Sequence, residues 1–189
     1  MNIILGSVDR MNDIISTLLD VSRIDAGKLG IEYSLVDVGA LVNTIVQELS
    51  VHAKNKKVNL SFLAPATPLT AVTDPLLLAE AYANLVSNAI KYTPALGKIS
   101  VTLEASKDGL SLSVKDSGLG IPIKLQDQVF SKFFRGSNVV KWDTSGTGLG
   151  LYVVKQIADA LEGKTWFTSR EGRGSSFYFK IPTTPSTRQ

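Results

Sequence analysis

The chain contains no cysteine and a single histidine, His52, among its 189 residues. The lack of cysteine excludes disulfide frameworks, thiolate nucleophiles and cysteine-ligated zinc or iron–sulfur sites. One histidine cannot build a multi-histidine metal site or form a catalytic pair with cysteine. Any chemistry that this chain performs must therefore use other side chains or the backbone.

Long apolar runs and a strong charge of one sign are also missing. No stretch reaches the roughly 18 apolar residues that a membrane span requires, and the start does not resemble a signal peptide. The 20 basic and 17 acidic side chains leave a formal charge of +3, too small and too scattered to indicate nucleic-acid binding. Because 44% of the residues are hydrophobic, the chain can bury an ordinary core, and we expect a soluble, folded protein.

The first segment, residues 3–26, has apolar side chains spaced alternately by four and three positions. This spacing predicts a long helix with the seam of a coiled-coil-like bundle, ended by Gly27 and Gly30. So large an apolar face cannot remain in water, which predicts a homodimer formed through this helix. The seam consists of Ile4, Val8, Met11, Ile15 and Leu18.

The rest of the chain alternates between helical and strand patterns. Apolar spacing predicts helices over residues 38–55 and 147–161, and a short amphipathic helix near residues 123–134. Asp74 before Pro75 is a helix N-cap followed by proline at the first helical position, so another helix is expected to reach about Tyr92. Alternating apolar residues predict a hairpin around Asp108-Gly109 and strands near residues 58–62, 69–73, 99–103, 110–114, 164–169 and 175–181.

The helix that follows Asp74 carries two asparagines, Asn84 and Asn88, spaced by four positions. They project from one face, and Lys91 adds a positive charge close to that face. Neutral amide oxygens suit a hard cation, and the ammonium group would steady phosphates that the cation bridges. The pattern indicates a Mg²⁺-phosphate site, although asparagines that only form packing hydrogen bonds would give the same spacing.

Asp116 comes at the end of the predicted hairpin and is followed by Gly118 and Gly120. A carboxylate accepts hydrogen bonds and donates none, which matches the exocyclic amino group of adenine. The two glycines let the backbone approach a flat ring closely. As an isolated pattern, however, Asp-x-Gly-x-Gly is common in turns.

Two more motifs follow toward the C-terminus. Phe130, Phe133 and Phe134 precede a polar segment of about ten residues, an arrangement that suits the anchor of a mobile lid. The sequence Gly146-Thr-Gly-Leu-Gly-Leu then leads into a helix, whose unpaired N–H groups favour phosphate. A Rossmann interpretation is excluded because this glycine loop does not follow a strand of a βαβ unit.

In this order, the four motifs resemble the catalytic ATP-binding domain of sensor histidine kinases, a superfamily shared with gyrase-type ATPases, heat-shock chaperones and mismatch-repair ATPases. Residues 18–29 also resemble the end of the second helix of the dimerisation and phosphoacceptor domain. We therefore expect residues 1–30 to be that helix, 31–36 a connector, 37–182 the catalytic domain and 183–189 a tail.

The resemblance implies an α+β fold of the Bergerat type, preceded by the long bundle helix. This fold is a two-layer α/β sandwich in which a mixed, mainly antiparallel sheet carries helices on one face. ATP would bind between the helices under a lid at residues 135–145. The nucleotide-binding residues carried over by motif are Asn84, Asn88, Lys91, Tyr92, Asp116, Gly118, Gly120, Ile121, Gly146, Thr147, Gly148, Leu149, Gly150, Leu151 and Ser175.

Roles within this set also follow from the resemblance. Asn88 would ligate Mg²⁺, Asn84 and Lys91 would act at the phosphates, and Asp116 would read adenine. Ser175 would assist at the adenine end. The function implied is a protein-histidine kinase that passes the γ-phosphoryl group of ATP to a histidine and then to an aspartate of a response regulator.

Two other functions remain open at this point. Gyrase- and chaperone-type ATPases place a glutamate four residues before the Mg²⁺-binding asparagine, as a general base for water. If Asn88 is the Mg²⁺ ligand, that position is Asn84, whose amide cannot act as a base. If Asn84 were the ligand instead, Glu80 would stand four residues before it and could be the base. A nucleotide-sensing module without chemistry is the second alternative.

The phosphoacceptor histidine of the family is typically followed by an acidic residue, but His52 is followed by Ala53 and Lys54. We interpret His52 as an ordinary histidine near a helix end, where the dipole favours it. We expect the chain to begin inside the kinase core, with the acceptor histidine elsewhere. We also expect a cytoplasmic location without membrane or nucleic-acid contact, and leave open whether a longer parent is anchored in a membrane.

Overall fold

The computed structural model describes residues 30–136 and 147–186. The expected N-terminal helix with its dimer seam lies outside the described residues. So do residues 137–146, which include most of the expected lid and Gly146, and the last residues, 187–189.

Two long helices begin where the sequence places caps. Helix α1 spans Val38–Asn55, and the Asp37 carboxylate accepts a hydrogen bond from the Ala40 N–H at 3.0 Å. Helix α2 spans Pro75–Tyr92, and Asp74 Oδ1 accepts from the N–H groups of its first turn. Both helices bury an apolar face at helical spacing, so the polar residues of α2 fall on its other side.

The main sheet has five strands in the order β2-β4-β5-β7-β6. Its strands are β2 (Asn59–Leu63), β4 (Lys98–Ser106), β5 (Gly109–Asp116), β6 (Lys164–Arg170) and β7 (Gly174–Ile181). Strands β2 and β4 are parallel, and the other neighbouring pairs are antiparallel. Two further strands, β1 (Ser34–Asp37) and β3 (Thr70–Thr73), form a small antiparallel ribbon. The predicted mixed, mainly antiparallel sheet is confirmed.

The core lies between one face of the sheet and the helices. Alternate residues of β4 and β5 are buried, among them Val101 and Leu112, whereas their strand neighbours are more exposed. Helix α2 packs against α1 and against α3, the third helix, which spans Gly150–Ala160. Tyr82 of α2 is fully buried edge-on against Phe179 of β7, with ring centroids 5.4 Å apart. This arrangement fixes α2 over the middle of the sheet.

Two predicted helix boundaries are wrong. Helix α3 begins at Gly150 rather than at Thr147, because Gly148 has a φ of +73°, which an α-helix does not allow. The amphipathic helix predicted near residues 123–134 is only a 3₁₀ helix, Ile123–Gln128, with no buried residue. Phe133 has a φ of +59°, so the backbone turns there instead of continuing a helix.

The expected tail at residues 183–189 is attached to the domain at its start. The Val72 N–H of β3 donates to the Thr183 carbonyl at 2.8 Å, and the Ser186 N–H donates to the Glu162 carboxylate at 2.8 Å. In the described part of the chain, no helix is long and apolar enough to cross a membrane.

Candidate functional site

The polar face of α2 contributes both asparagines predicted for the site. The Asn84 amide nitrogen donates to the Glu80 backbone carbonyl at 3.0 Å, which directs Oδ1 away from its own helix. A Cβ built on Gly150 would lie 2.7 Å from that Oδ1 and 3.8 Å from the Asn88 amide nitrogen. The start of α3 therefore lies against both amides.

A polar cavity opens between α2 and the start of α3, and we call it the phosphate cavity. It holds about 690 Å³ of empty space including its mouth. Amide, hydroxyl, ammonium and glycine backbone groups dominate its wall, a composition that suits a charged ligand. The lining residues are Asn84, Ser87, Asn88, Lys91, Tyr92, Val129, Phe134, Thr147, Gly148, Gly150 and Leu151.

The N-terminus of α3 forms one end of the phosphate cavity. Leu149 occupies its N-cap position, and no side chain among the described residues caps the helix there. The first turn, with the positive end of the helix dipole, borders the cavity at Gly150 and Leu151. Gly148 must be glycine because its φ is positive and because a Cβ would lie 2.7 Å from the Phe133 backbone. Leu149, which we expected at the phosphates, instead points into the hydrophobic core, where it is 1% exposed, because its side chain completes the α3 packing.

A second cavity adjoins the first, and we call it the base cavity. It has about 680 Å³ of empty space including its mouth, and its wall is mainly apolar. The two cavities lie side by side and share five wall residues, which are Asn88, Tyr92, Val129, Phe134 and Leu151. The remaining lining residues are Ala89, Asp116, Gly120, Ile121, Arg135, Gly136, Ser175 and Phe177.

Asp116 is the only carboxylate among the described residues that line the base cavity. It is buried at the end of β5, and its Oδ1 accepts hydrogen bonds from the Gly118 N–H at 2.7 Å and the Ser175 N–H at 3.3 Å. Both backbone donors go to this one oxygen, which leaves Oδ2 to accept from a ligand. Burial raises the pKa of Asp116, and the two backbone hydrogen bonds partly offset that rise.

The loop after Asp116 is shaped by two glycines. Gly118 lies behind the cavity wall, and a Cβ there would come within 2.5 Å of the Tyr92 carbonyl and 2.6 Å of Asp116 Oδ1. Gly120 has a φ of +63°, and a Cβ there would lie 2.0 Å from the Arg170 carbonyl. Both positions therefore require glycine, which brings the backbone close to the cavity.

Several residues of the site were not predicted from the sequence. Val129, the C-cap residue of the 3₁₀ helix, lines both cavities, and Phe177 of β7 contributes an apolar wall to the base cavity. Behind the wall, Ser169 of β6 and Gln126 of the 3₁₀ helix hold the backbone of Ile121. No sequence pattern distinguishes these residues from ordinary strand or loop residues, so only the fold reveals them.

The described residues contain no cluster of three or more histidine, aspartate or glutamate side chains that could hold a metal ion. The donors at the phosphate cavity are the neutral amides of Asn84 and Asn88. Mg²⁺ keeps several waters and is commonly held by one or two protein groups together with substrate phosphates. The donor set therefore fits a cation that enters with a polyphosphate.

Glu80, the alternative base of a water-activating ATPase, is not among the described residues that line either cavity. It lies one turn before Asn84 on α2, and its backbone carbonyl is occupied by the Asn84 amide. Asn88, by contrast, lines both cavities. The geometry therefore favours Asn88 over Asn84 as the metal-ligand position, which leaves no carboxylate four residues before it.

Comparisons with known proteins point to one group of enzymes. The family described as "Histidine kinase-, DNA gyrase B-, and HSP90-like ATPase" matches residues 73–185. Hybrid signal transduction histidine kinase D of Dictyostelium discoideum is 33% identical over 178 residues, covering 92% of this chain and 12% of that protein. Sensor-like histidine kinase SenX3 of Mycolicibacterium smegmatis is 35% identical over 176 residues, covering 93% of this chain and 46% of that protein. The chain spans less than half the length of these curated relatives.

Solved structures give the same result. The catalytic domain of histidine kinase ThkA, in a nucleotide-free form, is 32% identical with a TM-score of 0.72, over 83% of this chain and 99% of that chain. Full-length ShkA in complex with AMPPNP has a TM-score of 0.84 at 25% identity, over 96% of this chain and 37% of that chain. ThkA in complex with the response regulator protein TrrA has a TM-score of 0.76 at 27% identity, over 99% of this chain and 51% of that chain.

Proposed function

The chain belongs to the family of histidine kinase-, DNA gyrase B- and HSP90-like ATPases and carries a catalytic domain of the histidine kinase type, and we propose that it binds Mg²⁺-ATP across the two cavities. The observation that carries this proposal is that the two cavities lie side by side and differ in chemistry. At the apolar end stands a buried carboxylate, Asp116, whose Oδ1 takes both hydrogen bonds that the described residues give it. At the other end stand amides, an ammonium group and a helix start that no described side chain caps.

At the base cavity, Asp116 Oδ2 would accept a hydrogen bond from the adenine amino group. Ile121 and Phe177 would contact the faces and edges of the ring, while Gly120 lets the backbone approach it. This placement leaves the ribose near Tyr92 and directs the phosphates toward the second cavity.

At the phosphate cavity, the first-turn N–H groups of α3 and the Lys91 ammonium would bind phosphate oxygens. Asn88 would contribute an amide oxygen to Mg²⁺, and Asn84 would hold the adjoining phosphate side. A Mg²⁺ ion held there would supply positive charge against the phosphate oxygens. The chain's own residues hold the γ-phosphoryl group in position for an incoming nucleophile.

We further propose that the nucleophile is a histidine other than His52, and that the phosphoryl group passes from it to a response-regulator aspartate. His52 is exposed in the last turn of α1 and is not among the described residues that line either cavity. The response regulator is inferred from the partner in the ThkA complex. A domain that uses ATP in this way is expected in the cytoplasm.

Incubation of the chain with Mg²⁺, γ-labelled ATP and the dimerisation domain of a related sensor kinase tests the reaction. We expect acid-labile label on that domain, none on the chain itself, and no transfer with the Asn88→Ala variant. Release of free phosphate instead would identify a hydrolase. Nucleotide binding with neither product would identify a sensing module.

We also propose, from the sequence pattern alone, that the chain forms a homodimer through the seam at Ile4, Val8, Met11, Ile15 and Leu18. Burial of each large aliphatic side chain contributes about 1.5–3 kcal/mol, enough together to outweigh the cost of association at micromolar concentration. Sedimentation should show a dimer for the full chain and a monomer that still binds ATP after deletion of residues 1–26. A monomeric full chain would contradict the proposal.

A further inference from the structure

Ser169 lies behind the base cavity, at the centre of a small hydrogen-bond network. Its hydroxyl accepts from the Ile121 N–H at 2.8 Å, donates to the Gly174 carbonyl at 3.1 Å, and lies 2.9 Å from the Ser175 hydroxyl. Ser169 and Ser175 are direct partners in the pairing of β6 with β7. Ser169 thus connects two residues of the cavity wall, Ile121 and Ser175.

Gln126 closes the same network from the 3₁₀ helix. Its side-chain amide donates to the Ile121 carbonyl at 3.0 Å and to the Ser169 carbonyl at 3.2 Å. The N–H and the carbonyl of Ile121 are therefore both held, one by Ser169 and the other by Gln126. This double attachment fixes the backbone after Gly120 at the edge of the cavity.

Counting protons determines which way the Ser175 hydroxyl points. Ser169 has one hydroxyl hydrogen and two lone pairs. If that hydrogen goes to the Gly174 carbonyl, the lone pairs can accept from Ile121 and from the Ser175 hydroxyl, and all three contacts become hydrogen bonds. If it goes to Ser175 instead, the Gly174 carbonyl loses this donor. The first arrangement is favoured because unmade hydrogen bonds are costly at a partly buried site.

We propose, resting on the proposed ATP-binding function, that Ser169 is a positioning residue that sets the base selectivity of the cavity. Because Ser169 accepts a hydrogen bond from the Ser175 hydroxyl, Ser175 can present only its lone pairs to the bound base. Asp116 Oδ2 and Ser175 Oγ are then both acceptors. They match the amino group of adenine and oppose the carbonyl oxygen that guanine carries at the corresponding ring position.

Loss of the Ser169 hydroxyl changes its contact with Ile121 and its contact with Ser175. The Ile121 N–H loses its acceptor, and the Ser175 hydroxyl becomes able to rotate and donate into the cavity. A cavity that can donate there accepts a guanine carbonyl, so selectivity falls together with affinity for adenine.

Calorimetric titration with AMPPNP and with the matching guanosine analogue tests this proposal. Ser169→Ala should bind AMPPNP roughly 10-fold more weakly, the effect of about one lost hydrogen bond, while the guanosine analogue binds no worse. Ser169→Thr keeps the hydroxyl and should restore the wild-type ratio of the two affinities. The matched control is Thr165→Ala, because Thr165 lies on the same strand and donates to the Tyr178 carbonyl at 2.8 Å, away from the cavities.

A second variant covers the case in which Ser169→Ala is unstable. Ser175→Ala should also lower this ratio, because it removes the acceptor beside Asp116. The double variant should lower the ratio by less than the two single variants combined, because both substitutions remove the same Ser169–Ser175 contact. An unchanged ratio in Ser169→Ala, or an equal fall in Thr165→Ala, overturns the proposal while leaving ATP binding intact. Failure of the wild-type chain to bind AMPPNP overturns the proposed function, and this proposal with it.

Discussion

The two cavities of the site are built in different ways. At the base cavity, the N–H groups of Gly118 and Ser175 fix Asp116 Oδ1. The side chains of Ser169 and Gln126 hold the N–H and the carbonyl of Ile121. At the phosphate cavity, the polar groups are half-buried side chains of α2 and the first turn of α3. Loop and strand residues therefore organise the base end, whereas two helices organise the phosphate end.

This difference predicts that the two ends can be damaged separately. A substitution at the phosphate end should lower the affinity for ATP and leave the affinity for adenosine, which carries no phosphate, unchanged. A substitution at the base end should lower the affinities for adenosine, ADP and ATP by similar factors. Titration with all three ligands, with and without Mg²⁺, separates the two classes.

The largest effect is expected for Asn88→Ala. Even indirect partners of a bound metal contribute about 10–100-fold to its affinity, so loss of a direct amide ligand should weaken Mg²⁺-dependent ATP binding by about 100-fold or more. The fold should be intact, because the Asn88 side chain lines the cavities rather than the core. Adenosine should bind as to the wild type. Wild-type affinity for Mg²⁺-ATP would contradict the metal assignment.

Asp116→Asn should weaken the binding of adenosine, ADP and ATP by similar factors. Replacing the carboxylate removes a charge-assisted hydrogen bond to the adenine amino group, a loss of about 1.5–3 kcal/mol. Calorimetry with each ligand measures it, and the guanosine analogue provides the control. If ATP and its guanosine analogue compete equally for the wild-type chain, the adenine-reading role of Asp116 is wrong.

The same substitution should stabilise the ligand-free protein at neutral pH. Because burial raises the pKa of Asp116 above its ordinary value of 3.8, the folded chain binds this proton more tightly than the unfolded chain does. The stabilising contribution of this proton is full below the unfolded pKa and is lost as the pH rises through the raised folded pKa. Thermal melts should show a higher Tm for Asp116→Asn than for the wild type at pH 7, and a smaller difference in acid. A lower Tm at pH 7 would contradict this assignment.

The smallest effect is expected for Gly150→Ala. Its Cβ would lie 2.7 Å from Asn84 Oδ1, so the Asn84 amide must move within the phosphate cavity. We expect about 5-fold weaker binding of ATP, equivalent to about 1 kcal/mol of overpacking, with adenosine binding unchanged. Gly172→Ala is a suitable control for glycine replacement, because nothing lies within 4 Å of the added Cβ although its φ of +70° adds backbone strain. Equal losses for adenosine and ATP would show that the two ends are coupled.

Local signals predicted most of the elements correctly. Helix α2 begins after Asp74 and ends at Tyr92 as expected, because a cap, a proline and helical apolar spacing all act within a few residues of the chain. The hairpin is also confirmed, with β5 beginning at Gly109, where φ is +128°. The predicted helix near residues 123–134 is wrong because only a 3₁₀ helix forms after Pro122 and the backbone turns at Phe133, which outweighs a short apolar pattern.

The sequence alone determined the family resemblance, most of the elements and the shared face of Asn84 and Asn88 on α2, because local spacing and order carry these features regardless of the rest of the fold. The tertiary structure decided that Leu149 belongs to the core and that Asn88, rather than Glu80, lines the cavities. It also brought Ser169 beside Ile121, a pair 48 positions apart in the chain. Contacts of this kind depend on which strands pair and how helices pack on them, and no local pattern encodes them.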